Sequence, residues 1–293
     1  MPGRYCMSMR NSHIFACLRL LPIGVHLLFG ALRLALLLLH GGSSGRQRLK
    51  RAWSRQLLAL LGIRIEAVGG RLGGIDNGLL VCNHISLIDI FVLNALLPSG
   101  FVAKSDIAQW PLIGWLARHN DTVFIERGNR KAAHCTQRRM LAALNAGQRL
   151  AIFPEGTTTG GDRVLPFHAA LFQSAIDAAV PVHALALSYR SRDGAPSTAP
   201  AYVDEISLIG CLISMLEAGG LVARVELAAS FAVPLPDRRH LAHRSRQAIA
   251  TALTHAPDAV PVPRWRNIDQ WNSRGNPLPG PRQPLRNEAA MRQ

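Results

Sequence analysis

Acidic residues are scarce in this sequence, and charge of either sign is thin. Charged residues make up 17% of 293, and 18 acids stand against 33 lysines and arginines, for a formal net charge of +15. A basic, apolar chain suits an anionic membrane surface. Charge alone would also suit nucleic acid, but the arginines are dispersed and no recognition module appears, so nucleic acid is set aside as a partner. The five cysteines (Cys6, Cys17, Cys82, Cys135, Cys211) never pair as Cys-x-x-Cys. That excludes a disulfide framework and a cysteine zinc site, and points to a reducing cytosolic setting. No P-loop and no dinucleotide glycine fingerprint occurs. There is no Gly-x-Ser-x-Gly nucleophile elbow, so a serine hydrolase of that design is excluded. No Ala-x-Ala cleavage site follows the apolar N-terminus, which argues against a secretory signal.

What the chain does have is apolar mass, 48% of its residues. Its length predicts one main domain with extensions. From Ile14 to Gly42 it is nearly all apolar, but Arg19 and Arg33 interrupt it. The uncharged run between them, Leu20 to Leu32, is shorter than the roughly 20 residues a lone span needs. Residues 1–45 therefore read as a membrane anchor, either interfacial or one imperfect span. The cluster Arg46, Arg48, Lys50, Arg51 that follows places that side at the cytoplasmic face of the inner membrane by the positive-inside tendency.

Beyond the anchor, residues 46–256 alternate between two periodicities. An amphipathic helix over 46–62 is followed by the strand "IRIEAV" (63–68), a glycine turn, and the short strand "GLLVCN". A helix over 87–97 stops at Pro98. The pattern then predicts the strand "FVAK", a helix over 106–119 holding Pro111, the strand "TVFIER" (122–127) and a helix over 130–146. Next come the strand "RLAI", a helix near 168–179, a strand at 180–189, a helix near 206–218, the strand "VARVELAA" and a helix over 238–254. Strands alternating with helices predict an α/β fold, a layered mixed sheet with flanking helices. Residues 257–293, with seven prolines and many Arg, Asn and Gln, read as a disordered or membrane-lying tail.

Four segments put polar residues at strand ends, where α/β sheets place their sites: "NHISLID" (83–89), "VFIER" (123–127), "FPEGTTTGG" (153–161) and "VPVHALAL" (180–187). Histidine is the side chain whose ordinary pKa lies near neutrality, so His84 is a candidate to take a proton. A carboxylate on its far nitrogen would orient it and stabilise the imidazolium, and Asp89 is the candidate if His84 lies in a turn and Asp89 opens the helix. A second reading stands level with it. Ser86-x-x-Asp89 before an apolar run is a capping box, which needs no chemistry and leaves His84 idle. A His–Asp pair without its own serine points to a nucleophile carried by the substrate. Cys82 reads as a small core residue, and His183 as a strand residue rather than a ligand.

In this order the four segments resemble the four blocks of the glycerolipid acyltransferases. The resemblance covers roughly residues 75–190, with weaker likeness to about 235, and Asn-His-x-x-x-x-Asp joined to Phe-Pro-Glu-Gly at this distance is specific. It implies an enzyme that moves an acyl group from a thioester, acyl-CoA or acyl-carrier protein, to the hydroxyl of a lysolipid, with no bound cofactor and no metal. The acceptor it implies first is 1-acyl-sn-glycerol-3-phosphate, giving phosphatidic acid; a lyso-ornithine lipid is the alternative. A non-enzymatic basic membrane-surface protein is the rival of another class. By the same resemblance His84 is the general base and Asp89 its orienter. Asn83, Arg127, Glu155, Gly156 and Thr157 contact substrate, Arg127 holding the acceptor's anion and Glu155 either bonding a hydroxyl or bracing its loop. One departure stands out: the family often has Phe-Pro-Glu-Gly-Thr-Arg, but here Thr158 holds the arginine's place and Arg163 follows. The variant "FPEGTTTGGDRVLPFHAALF" is similar to acyltransferases of lyso-ornithine lipid, whose anion is a carboxylate.

Overall fold

Leu79, Leu80, Val81 and Cys82 offer no polar face to solvent, and the fold exposes none of them. They form β2 (Gly78–Cys82), the middle of a seven-stranded sheet. The computed structural model describes residues 3–40, 43–68, 72–125, 130–203 and 205–254. Arg127 and the tail 257–293 lie outside them. The other strands are β1 (Ile63–Val68), β3 (Gly100–Lys104), β4 (Val123–Ile125), β5 (Arg149–Ile152), β6 (Val182–Ser191) and β7 (Leu221–Phe231). Their order across the sheet is β1-β7-β6-β2-β5-β3-β4. All neighbours are parallel except β6 and β7, so the sheet is mixed. A strand buried on both faces reads as a continuous apolar run.

The helices are α1 (Gly3–His40), α2 (Ser43–Leu60), α3 (Asp89–Leu96), α4 (Ile113–His119), α5 (Arg130–Asn145), α6 (Gln173–Asp177), α7 (Leu208–Glu217) and α8 (Arg238–Thr254). The pleat sorts them. Leu80 and Cys82 meet Leu57 and Leu58 of α2, Val92 and Leu93 of α3, and Met215 of α7 in one core. Leu79 and Val81 meet Met140 and Leu144 of α5, Ala175 of α6 and Leu241 and Ile249 of α8 in the other. The chain passes from β5 on one side of β2 to β6 on the other. That reversal leaves the carboxyl end of β2 at the crevice where open α/β sheets bind ligands.

Two helical expectations need correction. The stretch 106–119 is broken into a 3-10 turn (Ser105–Gln109) and α4. Pro111 forces Trp110 into extended backbone (φ −69°, ψ 129°), and Leu112 follows at φ 59°. The stretch 168–179 is likewise a 3-10 turn (Ala169–Phe172) running into the short α6.

The basic cluster after the apolar stretch, read from the sequence as a positive-inside signal, is tied inward at Lys50 and Arg51, as is Arg55 beyond it. Lys50 is buried, its Nζ donating to Asp121 Oδ2 (2.7 Å), Asn120 O (3.1 Å) and Ser99 O (3.4 Å). Burial pulls its pKa down, and Asp121 pulls it partly back. Arg51 and Arg55 donate to Leu96 O and Ala95 O, both at 3.1 Å. Those carbonyls end α3, so cations of α2 satisfy the terminus opposite Asp89.

α1 docks through one face only. Ile23 is 3% exposed, but Leu21 is 74% and Leu28 62% exposed, with Leu18, Val25, Leu32 and Leu36 beside them. The stretch Leu18–Leu36, 19 residues of mean hydropathy 1.5, is long and apolar enough to cross a membrane by length and composition. Arg19 lies within that stretch, its guanidinium donating to Leu60 O at the end of α2 (3.1 Å). Arg33 lies over the Phe29 ring at 5.0 Å. The docked face turns on Trp53 of α2. Its indole donates to His26 O (3.3 Å), meets Phe91 edge-on at 5.6 Å, and leaves no room at Gly30, where a Cβ would fall 2.1 Å from Nε1. Gly30→Ala is therefore expected to cost about 1–3 kcal/mol through overpacking, read as a lowered melting temperature. Adding Trp53→Leu should recover part of that loss; a Gly30→Ala protein as stable as wild type would refute the close approach.

Candidate active site

His84 lies two residues beyond β2, and Asp89 is the first residue of α3. The turn between them bends the ring of His84 back over the helix start, and His84 Nδ1 meets Asp89 Oδ2 at 2.8 Å. The same oxygen accepts Ile85 N–H (2.7 Å) and Ser86 N–H (2.9 Å), while Oδ1 accepts the hydroxyl of Tyr189 (2.7 Å). The two readings of this segment thus merge. Half of a capping box exists, Asp89 holding Ser86 N–H. The reciprocal half does not: the residue before α3, Ile88, makes no side-chain cap, and Ser86 Oγ accepts Ile88 N–H at 3.4 Å. The carboxylate that braces the helix start is the one that holds the imidazole.

The imidazole is also stacked. Phe153 lies parallel to it at 4.0 Å between ring centroids, and Phe101 backs Phe153 at 6.1 Å. The His84 side chain keeps 20% exposure and that of Asp89 none. With Nδ1 engaged by a carboxylate acceptor, Nε2 is the nitrogen that can meet another molecule.

The "FPEG" segment holds the His84 loop from outside. Glu155 Oε1 accepts His84 N–H (2.8 Å) and Oε2 accepts Leu165 N–H (2.7 Å). Thr159 N–H donates to His84 O (2.9 Å). Of the two roles open to Glu155 the geometry displays bracing, since both oxygens are spent on backbone. Burial pushes the Glu155 carboxyl up, outweighing those two hydrogen bonds and the nearby imidazole. Leu165 is held in turn by α8: Arg246 donates from Nε to Val164 O and Leu165 O (3.1 Å each) and from Nη2 to Val164 O (2.8 Å). Gly156 takes φ 71°, a conformation that favours glycine, and Thr157 beyond it is exposed.

Asn83 is a correction. It is fully buried, its amide donating to Leu187 O (2.9 Å) and accepting Leu187 N–H (2.8 Å), so it clamps the end of β2 to β6 instead of facing substrate. Arg127 lies outside the described residues. Thr158, in the arginine's place, donates its hydroxyl to Tyr202 O, and Tyr202 N–H donates to Ile85 O (2.9 Å). Arg163 points outward, its side chain 69% exposed and 3.4 Å from Asp162. Cys82 is a core residue whose thiol is pushed well up by burial and by Asp89 and Glu155. His183 is a β6 residue bonded to Ser230 Oγ at 2.7 Å. Among the described residues no group of three or more His, Cys, Asp or Glu side chains could hold a metal ion. Sequence reading missed Tyr189, which lies 100 residues from Asp89 with no local signal, and the stacking role of Phe153, which the motif quotes without explaining.

The family model described as Acyltransferase matches residues 70–188. A lyso-ornithine lipid O-acyltransferase of Pseudomonas aeruginosa is 37% identical over 214 residues, which is 72% of this chain and 81% of that protein. A 1-acyl-sn-glycerol-3-phosphate acyltransferase of Neisseria meningitidis is 36% identical over 220 residues, 74% of this chain and 86% of that protein. The crystal structure of the 1-acyl-sn-glycerophosphate acyltransferase PlsC from Thermotoga maritima superposes with a TM-score of 0.63 at 18% identity, covering 84% of this chain and 96% of that one, a likeness of fold.

Glu155→Ala removes the acceptor of two backbone N–H groups and should cost about 2–4 kcal/mol of stability. The pH dependence has a definite sign. A carboxyl whose folded pKa lies above its unfolded value of about 4.3 keeps its proton in the folded state after the unfolded chain has lost it. Stability therefore falls as pH rises from that value through the folded pKa. Melting curves of wild type and Glu155→Gln across that window should show the fall in the wild type alone.

Proposed function

The chain belongs to the acyltransferase family, and on that premise we propose that it transfers a fatty acyl group from a thioester, acyl-CoA or acyl-carrier protein, to the free hydroxyl of a lysolipid. The observation that carries the mechanism is the 2.8 Å contact between His84 Nδ1 and a fully buried Asp89. His84 Nε2 takes the proton of the substrate hydroxyl as that oxygen attacks the thioester carbonyl. Asp89 stabilises the imidazolium so formed. The tetrahedral intermediate collapses, the C–S bond breaks, and the thiolate leaves with the proton returned by Nε2. No enzyme nucleophile is needed. Gly156 and the exposed Thr157 flank the acceptor, and Arg127 holds its anion. That last role fits the bidentate fork of a guanidinium. The uncovered apolar face of α1 rests in the bilayer that supplies the acceptor, and the sheet domain stands at the cytoplasmic face.

The acceptor is 1-acyl-sn-glycerol-3-phosphate, in keeping with all four sequence blocks. A second reading, a lyso-ornithine lipid, is favoured by one observation. Thr158 spends its hydroxyl on Tyr202 O and Arg163 is turned to solvent beside Asp162, so neither supplies the second cation that a phosphate monoester usually recruits. A carboxylate needs only one fork.

His84→Ala should lower turnover by about two to four orders of magnitude with the fold intact; near-normal turnover by the purified variant would sink the base assignment. Asp89→Asn can keep an oxygen on the Ile85 and Ser86 N–H groups but loses the charge. The rate should therefore fall about a hundredfold or more while the melting temperature moves little. Thr158→Arg should raise kcat/KM for lysophosphatidic acid relative to lyso-ornithine lipid. A wild type that strongly prefers lysophosphatidic acid, with the ratio unmoved in the variant, would remove any role for position 158 in selectivity.

A further inference from the structure

A buried carboxylate has about four lone-pair positions to fill, and the two oxygens of Asp89 fill theirs unequally. Oδ2 gathers three N–H donors, from His84, Ile85 and Ser86, all within its own turn. Oδ1 receives one donor from far along the chain, the hydroxyl of Tyr189 at 2.7 Å. Without it that buried oxygen would lose its donor, and the carboxylate could tilt about its Cβ–Cγ bond out of line with the imidazole. Tyr189 is well placed to prevent that. It is 3% exposed and packed in the same core as Leu93 and Ala223. It follows Leu187 by two residues on β6, and Leu187 is the residue that Asn83 clamps. One strand therefore delivers backbone to Asn83 and a phenol to Asp89. Burial and the neighbouring Asp89 push the Tyr189 hydroxyl well up, so it remains a donor.

We propose that Tyr189 is a positioning residue for the acyl transfer: its hydroxyl fixes the plane of the Asp89 carboxylate so that the oxygen facing His84 stays in line with Nδ1, and it sets how strongly the carboxylate pulls on the imidazole. The two effects are separable. Pinning keeps Nε2 aimed at the acceptor hydroxyl, and its loss lowers kcat. A donor on Oδ1 draws charge away from Oδ2; when it is removed, the carboxylate stabilises imidazolium more strongly and the base loses its free form at a higher pH.

Tyr189→Phe keeps the ring and deletes the hydroxyl. A loss of kcat of about 5- to 50-fold is expected, with KM for acceptor and donor within about twofold. The acid limb of the kcat/KM profile should move up by about half a pH unit. A merely structural hydroxyl would lower the melting temperature and leave that limb where it was. 3-Fluorotyrosine at position 189 supplies the graded control: it preserves shape, donates more strongly, and should move the limb the other way. The proposal rests on His84 being the base. A His84→Ala protein with near-normal turnover overturns both. An inactive His84→Ala beside a Tyr189→Phe with wild-type kcat and profile overturns this proposal alone, and if Tyr189→Phe does not fold, an unmoved limb in the fluorotyrosine protein does the same.

Discussion

Taking a carboxylate out of water costs several kcal/mol unless its lone pairs are met, and Asp89 is wholly out of water. Its four donors come from the turn after β2 and from β6. That compensation is possible only when α3, the turn and the central strands are all in place. The group that costs most to bury thereby fixes the geometry around it. His84 is then held by charge-assisted hydrogen bonding on one side and by the Phe153 ring on its face, and Nε2 is the nitrogen to which we assign the proton transfer.

A second carboxylate repeats the pattern one layer out. Glu155 spends one oxygen on the His84 backbone and the other on Leu165, and Arg246 of α8 grips the Val164 and Leu165 carbonyls. A continuous run of hydrogen bonds thus links a helix on one face of the sheet to the loop at the carboxyl end of β2. Bracing of this kind holds loop residues in a fixed geometry, which the proposed acid–base chemistry needs.

The face carrying α2 and α3 follows a different economy. Cations there are internal ties: Lys50 reaches three oxygens across the core edge, and Arg51 and Arg55 close the carboxyl end of α3. α1 packs on this layer through Trp53 and Ile23 and leaves its leucine stripe uncovered. Apolar exposure on that scale marks an interaction surface, and its match in length to a bilayer supports membrane association.

Local pattern determined much of this protein. The strands at 63–68 and around 79–82, the helix over 238–254 and the α/β class follow from residue periodicity, which depends on neighbours a few positions away. The pairing of His84 with Asp89 was legible because both belong to one turn; so was Glu155, as a polar residue at a strand end. Pro111 was visible too, but whether it bends a helix or splits one depends on what surrounds it. Only the tertiary structure decided the rest. Tyr189 and Leu187 reach the site because β6 lies beside β2, a pairing that no spacing in the chain encodes. The same adjacency turned Asn83 from an expected ligand into a clamp. Lys50 and Arg51 read as part of a positive-inside cluster because a sequence shows the cation and not the carbonyls that will face it. Hydrogen bonds across long separations depend on which elements become neighbours, and that is settled by packing the whole sheet.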